Sequence, residues 1–370
     1  MKCCFSKEDV LKPLQAVSAI ADKKHTIPIL NNILFEVKLG KLFLRSSDLE
    51  TEISAEVLLS GKSIDGISTL PARKFLDIIK NIDAGSIINI NRGITTGNKV
   101  SLKTKNSTFI LSSLDAKDFP VMDREFTASR FKISQSNFIK VIKKVQFAMG
   151  LNDVRYFLNG MLWEIESSVF RVVANDGHRM SLSEISIENT YLKKIQMIVP
   201  RKAILELQKI VFSKDNQVLD IQIGKSHFML RSLNYAFASK LIDSKYPDYM
   251  KVVPTINDKL LIVNRIAFKQ ALLRASILSN EKHRGIRLQI KKNHLSILAN
   301  NPDHEEAKDE IQAKYNSIPI EIGFNVTYLL DVINVLDTDA IKLYFYDTLM
   351  SLVVKDESMK GIYVIMPIRL

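Results

Sequence analysis

Landmarks in this 370-residue chain return at intervals of 125 to 130 residues, and a repeat of that length restricts the fold more than composition could. A helix start at Ser6-Lys7-Glu8-Asp9-Val10-Leu11 has a counterpart at Ser134-Gln135-Ser136-Asn137-Phe138-Ile139, and again near Asn264-Arg265-Ile266-Ala267-Phe268. A strand closing on a small residue and an acid, Leu42 to Ser47-Asp48, recurs as Phe170 to Asn175-Asp176 and as Leu295 to Asn300-Asn301. Pro71-Ala72-Arg73-Lys74-Phe75 opens a second helix, matched by Pro200-Arg201-Lys202-Ala203-Ile204 and Asn325-Val326-Thr327-Tyr328-Leu329. Leu114 to Phe119-Pro120 matches Leu241 to Tyr246-Pro247. The fold class that follows is α+β, with three similar repeated domains at 1–126, 127–253 and 254–370. Alternating strands are expected at 87–90, 218–223 and 341–345. A helix is expected over 136–149, with Phe138, Val141, Ile142, Val145 and Met149 on its apolar face.

Charge then narrows the partner. The chain carries a net +12, of which residues 127–253 hold 19 Lys/Arg against 11 Asp/Glu. Basic residues mark helices at equivalent places in the repeat: Arg73, Lys74 and Lys80; Lys140, Lys143 and Lys144; Arg201, Lys202 and Lys209; Arg265, Lys269 and Arg274. A solvated helix face explains any one of them, whereas the recurrence points to a polyanion such as nucleic acid. The second helix of the third repeat departs from this pattern, with no Lys or Arg between Asn325 and Asp339.

Size turns this into a geometric expectation. A domain of this length has a radius of gyration of about 13–14 Å, hence a diameter near 35 Å. Three such spheres in a ring leave a hole of only about 5 Å, and six leave about 35 Å. A duplex about 20 Å across passes through the second alone. Two chains joined head-to-tail, unit one against unit three, would close that ring.

No segment has the apolar length of a membrane span, and charges at Lys7, Glu8, Asp9 and Lys12 interrupt any leader-like run, so a cytoplasmic protein is expected. Cys3 and Cys4 are adjacent, which fits a reducing compartment and no disulfide framework. Six scattered histidines and two cysteines offer no zinc spacing, so neither metal nor cofactor is expected. The stretch "SGKS" at 60–63 ends like a phosphate-binding loop, but Glu56 stands where its first glycine belongs.

The stretch "VANDGHRM" at 173–180 looks catalytic, with Asp176, His178 and Arg179 around Gly177. A nucleophile partner is lacking nearby, and the repeated counterparts at Asp48-Leu49-Glu50 and Asn301-Pro302-Asp303 lack the histidine. A tight Asn/Asp/Gly turn is the simpler reading. Three functions remain open at this level: a ring that tethers other proteins to DNA, a nucleic-acid enzyme using Asp176 and His178, and a non-specific DNA-binding protein.

From end to end the chain resembles the bacterial DNA polymerase III beta subunit, the sliding clamp family. The resemblance rests on "LKPLQAVS" (11–18), "LPARKFLDI" (70–78), "DVRYFLNGMLWE" (153–164), "VANDGHRM", "ILSNEKHRGIRL" (277–288), "IGFNVTYLLDV" (322–332) and "YVIMPIRL" (363–370). It implies the DNA clamp fold, a head-to-tail homodimeric ring with helices lining the pore and antiparallel sheets outside. The implied role is a processivity factor with no catalytic residues. The implied partners are double-stranded DNA without sequence preference, the replicative polymerase subunit, an ATP-dependent clamp loader, and repair polymerases and other clamp-binding-motif proteins.

By the same resemblance, a partner-peptide cleft would be built from Leu158, Asn175, Gly177, His178, Arg179, Met180, Pro247, Lys251, Val252, Asn325, Tyr328, Leu349, Ser351 and the tail Val364, Ile365, Met366, Pro367, Ile368, Arg369 and Leu370. DNA-facing positions would be Lys24, Arg73, Asn152, Arg155, Tyr156 and Lys202. The dimer contact would set Phe109 and Leu111 against Ile277 and Leu278, ringed by Lys103 or Lys105 facing Glu305 or Glu306.

Overall fold

The computed structural model describes residues 1–21, 26–93, 98–122, 129–211, 217–254 and 258–369. Packing divides them into two compact units: Met1–Ser136 with Lys202–Leu241, and Asn137–Arg201 with Ile242–Leu370. Six α-helices are described: α1 (Lys7–Ala21), α2 (Ala72–Asn81), α3 (Gln135–Lys143), α4 (Arg201–Val211), α5 (Arg265–Ser276) and α6 (Val326–Val335). They begin where the repeated landmarks place them. Pro71 caps α2 and Pro200 immediately precedes α4, positions where a fixed φ and a missing N–H cost little.

The strands form three antiparallel sheets. In the first unit a four-stranded sheet runs in the order Lys2–Ser6, Ile87–Asn91, Lys99–Lys103, Thr108–Ser112. The same unit holds an eight-stranded sheet. There Thr51–Leu58, from repeat one, pairs with Tyr235–Lys240, from repeat two. In the second unit, Arg179–Pro200 of repeat two pairs with Gly361–Ile365 of repeat three inside a ten-stranded sheet. The strands of the middle repeat are therefore shared between two sheets, and compact packing yields two units where the sequence repeat has three.

Within each unit the helices pack on the sheets. In the first unit Val10, Leu14 and Val17 of α1 and Phe75 and Ile79 of α2 are fully buried, with the Phe75 ring edge-on to Phe35 at 6.0 Å. In the second, Phe268 and Leu272 of α5 and Leu329 and Ile333 of α6 pack on Phe324, Phe345 and Ile365. Burying each such side chain contributes about 1.5–3 kcal/mol, so these layers dominate stability.

The expected helix over 136–149 is shorter than its apolar spacing suggests. It stops at Lys143, and a 3-10 turn over Gln146–Ala148 follows. The five apolar residues are still buried, Phe138 edge-on to Trp163 at 5.5 Å. Lys144 follows the helix directly, its N–H still bonded to the Lys140 carbonyl at 3.1 Å. Instead of joining Lys140 and Lys143 on an exposed basic face, it is 4% exposed and its Nζ lies 2.5 Å from Asp356.

Candidate functional site

The repeated acid is a repeated turn. Asp48 Oδ1 accepts the backbone N–H of Glu50 and Thr51 at 3.0 and 2.7 Å. Asp176 Oδ1 accepts those of His178 and Arg179, both at 2.9 Å. Asn301 Oδ1 accepts those of Asp303 and Glu305 at 3.1 and 3.0 Å. A short side chain that bonds its own backbone two to four residues on needs no other group to close such a turn. The second position of the turn is left-handed in repeats one and two, φ 73° at Leu49 and 87° at Gly177.

Repeats one and two also present equivalent junctions, each inside its own unit. The N–H of Lys240 donates to the Glu50 carbonyl at 2.9 Å, and the N–H of Met366 donates to the His178 carbonyl at 2.9 Å. What fills the two junctions differs. In the first unit Lys202 Nζ, on α4, sits 2.8 Å from Asp48 and 3.0 Å from Glu50. Burial alone would raise the Asp48 carboxyl, but the bonds from Lys202 and the turn N–H groups outweigh it and hold it below its ordinary range.

In the second unit α6 presents Tyr328, whose counterpart on α4 is the buried Ala203. The His178 ring stacks on Tyr328 with centroids 6.3 Å apart. Beside this pair lies a cavity of about 580 Å³, lined by His178, Asn325, Tyr328, Ile368 and Arg369 together with the loops around Lys282 and Asn301.

Arg179 holds this junction together. Its guanidinium bonds Asp176 at 3.0 Å, Asp331 of α6 at 2.5 Å and the Phe147 carbonyl at 2.8 Å. It lies over the rings of Tyr328 and Phe147 at 4.4 and 5.2 Å. The side chain ties the turn at Asp176 to α6. Asp176 thus spends three of its acceptor sites on holding the turn and Arg179.

The tail completes the site. Arg179 to Leu182 pair with Ile365 to Ile362, and the Ile368 N–H crosses to the Gly323 carbonyl at 2.9 Å. Leu158, Met180, Val364 and Ile365 are at most 2% exposed. Met180 and Val364 share one apolar cluster with Tyr246 and Tyr249, and Val252 packs against it. Pro247 and Lys251 are exposed, Ser351 and Pro367 are half-buried, and Met366 is 38% exposed. Leu349 is 74% exposed on a turn closed by Asp347, away from the cavity lining. Asn175 accepts the Gly177 N–H.

Asn280, Lys282, His283, Gly285, Asn300, Asn301 and Pro302 line the cavity although none was expected among the cleft residues. Their segments were marked by the block "ILSNEKHRGIRL" and by the third copy of the repeated turn at Asn301.

Of the basic positions, Arg73 is exposed on α2, and Asn152, Arg155 and Tyr156 are exposed on one loop. Arg155 forms a two-pronged pair with Asp153, holding that carboxyl down at about 2. Lys202 is half-buried between its two acids. Lys24 and Leu370 lie outside the described residues. On the edge strand Thr108–Ser112, Leu111 is buried within its own unit while Ile110 is 65% exposed, as strand alternation requires. Ile277 is 76% exposed at the end of α5.

A Cβ at Gly177 would come 2.6 Å from Arg155 Nη2. Gly177→Ala should therefore push Arg155 off and cost about 1–2 kcal/mol from the left-handed backbone. Denaturation followed by the single tryptophan, buried Trp163, checks this. An unchanged midpoint would refute it.

Three family models match in order: the DNA polymerase III beta subunit N-terminal domain over residues 1–123, its central domain over 132–248 and its C-terminal domain over 250–369. The chain belongs to the DNA polymerase III beta subunit family. It is 40% identical to the beta sliding clamps of Pseudomonas aeruginosa and of Escherichia coli K12, with all of both chains covered in each case. The crystal structure of the Pseudomonas aeruginosa beta subunit superposes with a TM-score of 0.96 at 39% identity, and that of Caulobacter crescentus with 0.93 at 30%, each covering the whole of both chains. The chain has the three-domain DNA clamp fold. It acts as a sliding clamp, a non-catalytic processivity subunit of DNA polymerase III that works with DNA and polymerase in replication. No described helix is long and apolar enough to cross a membrane.

Proposed function

We propose that two copies of this chain close head-to-tail into a ring around duplex DNA, with the repeats 1–126, 127–253 and 254–370 as its domains. The observation that carries this reading is a pair of open, complementary sheet edges. The strand Thr108–Ser112 ends the four-stranded sheet with no partner on its outer side among the described residues. The strand Glu306–Lys314 pairs with His294–Asn300 along its length, but with Lys259–Asn264 only at Ala313 and Lys314. Unpaired edges of this kind invite a further strand. Lys103 and Lys105 flank the first edge, and Glu305, Glu306 and Glu310 the second. A cavity of about 360 Å³ beside Phe109 could receive Ile277 and Leu278 of the partner subunit. Apolar burial rather than the exposed ion pairs would then supply most of the affinity.

Within the ring, basic residues such as Arg73, Arg155 and Lys202 attract phosphates without reading bases, which leaves the duplex free to slide. The junction at His178 and Tyr328 takes a short extended segment with hydrophobic anchors, from the replicative polymerase, repair polymerases and other replication proteins in turn. Tethering raises the partner's effective concentration at the template. The Pseudomonas aeruginosa clamp has been solved bound to griselimycin, which supports a ligand site on this fold. No nucleotide-binding loop is apparent in the sequence, so opening the ring falls to a separate ATP-dependent loader. Free thiols at Cys3 and Cys4 suit the cytoplasm.

Analytical ultracentrifugation tests the closure. The native chain should sediment as a dimer, and Ile277→Asp as a folded monomer, because Ile277 touches no core. A native monomer, or a dimer indifferent to Ile277→Asp, would count against it.

A further inference from the structure

The cavity beside His178 has a chemistry that hydrophobic anchors do not explain. Its lining includes Lys282, Arg369, His178 and His283, four asparagines, and no carboxylate. Neither Lys282 nor Arg369 makes an ion pair with any described residue. Acids adjoin the lining in sequence, Glu281 beside Lys282 and Asp303 beside Pro302, but among the described residues neither pairs with Lys282 or Arg369, and Glu305 is held by the Asn301 side chain at 2.6 Å.

Both cations stand on ordered backbone. Asn280 Oδ1 accepts the N–H of Lys282 and of His283 at 2.9 and 3.1 Å, and the Asn325 side chain donates to the His283 carbonyl at 3.2 Å. On the tail, the N–H groups of Met366 and Ile368 anchor the backbone on both sides of Pro367. Cations presented this way lose little backbone freedom when they bind an anion.

We propose that this cavity receives acidic side chains flanking the hydrophobic anchors of the bound peptide, so that Lys282 and Arg369 select partner segments carrying Asp or Glu on one flank. The proposal rests on the peptide reading of the His178 junction and adds a second, charge-based level of selection to it. Several partners competing for one site per chain could then be ranked by their flanks, with the hydrophobic contacts unchanged. Such ranking would weaken with salt, since both cations are exposed.

The test uses the full-length dimer and fluorescence anisotropy of labelled ten-residue peptides with central leucine and phenylalanine anchors. Each carries two aspartates or two asparagines on one flank, with each flank tried in turn. On one flank the aspartate peptide should bind about five- to tenfold tighter at low salt, as two charge-assisted contacts at a partly exposed site allow. That advantage, read as the ratio of aspartate-peptide to asparagine-peptide affinity within each protein so that any general loss from changing Arg369 cancels, should vanish in the double variant Lys282→Ala/Arg369→Ala. Equal binding of both peptides on both flanks would overturn the proposal, as would an advantage that survives the double variant. If no peptide binds the native dimer at all, the peptide reading of the junction fails, and the proposal falls with it.

Discussion

Replacing Lys144 with methionine should destabilise the second unit by about 3–5 kcal/mol, the range for removing one partner of a buried ion pair. The residue lies just past the end of α3, and its ammonium contacts Asp356, whose side chain is 1% exposed. Ser358 also bonds Asp356, through both its N–H and its hydroxyl at 3.0 and 2.7 Å, which places the expected loss toward the lower end. Burial would push the Asp356 carboxyl up, but the Lys144 and Ser358 bonds outweigh it and hold it below the ordinary range. A carboxyl depressed in the folded state contributes stability above its unfolded value, and that stability is lost as pH falls through the folded value. The gap between native protein and Lys144→Met should therefore be full at neutral pH and narrow below about pH 4, the unfolded aspartate range. Denaturant titration with Trp163 fluorescence measures it. The double variant Lys144→Met/Asp356→Leu should recover most of the loss, because an apolar pair of similar volume needs no counter-charge. A Lys144→Met variant as stable as the native chain would show that the pair contributes nothing.

Arg179→Ala should be the most damaging single change at the peptide junction. It removes bonds to Asp176, Asp331 and the Phe147 carbonyl, and a guanidinium between two rings. Each hydrogen bond to a charged group contributes about 1.5–3 kcal/mol, and the contributions share partners, so a total near 3 kcal/mol is expected rather than their sum. The turn at 176–179 would lose its hold on α6, and peptide affinity should fall by at least about tenfold, one 1.4 kcal/mol step. His178→Ala is the useful contrast. Its ring is exposed and only stacks on Tyr328, so peptide affinity should drop while the denaturation midpoint stays put. Arg179→Ala binding peptide normally would mean that the junction does not depend on this clamp.

The repeat made much of the architecture readable. Asp48, Asp176 and Asn301 could be aligned because a short oxygen-bearing side chain at a strand end closes a turn wherever it occurs, and all three do so. Val218–Ile223 is a strand over the residues its alternation marks, and α2 and α4 start just after Pro71 and Pro200. Local pattern did not reveal where α3 ends. Val145 and Met149 continue the apolar spacing, yet the helix stops at Lys143, and the Lys144 ammonium meets an acid 212 residues away. Nor did it reveal the cavity wall, since Lys282 and Asn301 meet His178 only through sheet pairing and the crossing of the tail to Gly323. Those contacts leave no periodicity in the sequence. The difference between the two junctions could have been read, because Tyr328 aligns with Ala203 and Gly177 with Leu49.

Encirclement of DNA is tested by loading the labelled protein onto nicked circular plasmid with a clamp loader and ATP, raising the salt, and then cutting the DNA once. A closed ring stays on the circle through salt that strips electrostatic binders, and leaves within minutes of linearisation. Loss from the intact circle at the same salt, or retention on the cut molecule with free ends, would contradict encirclement.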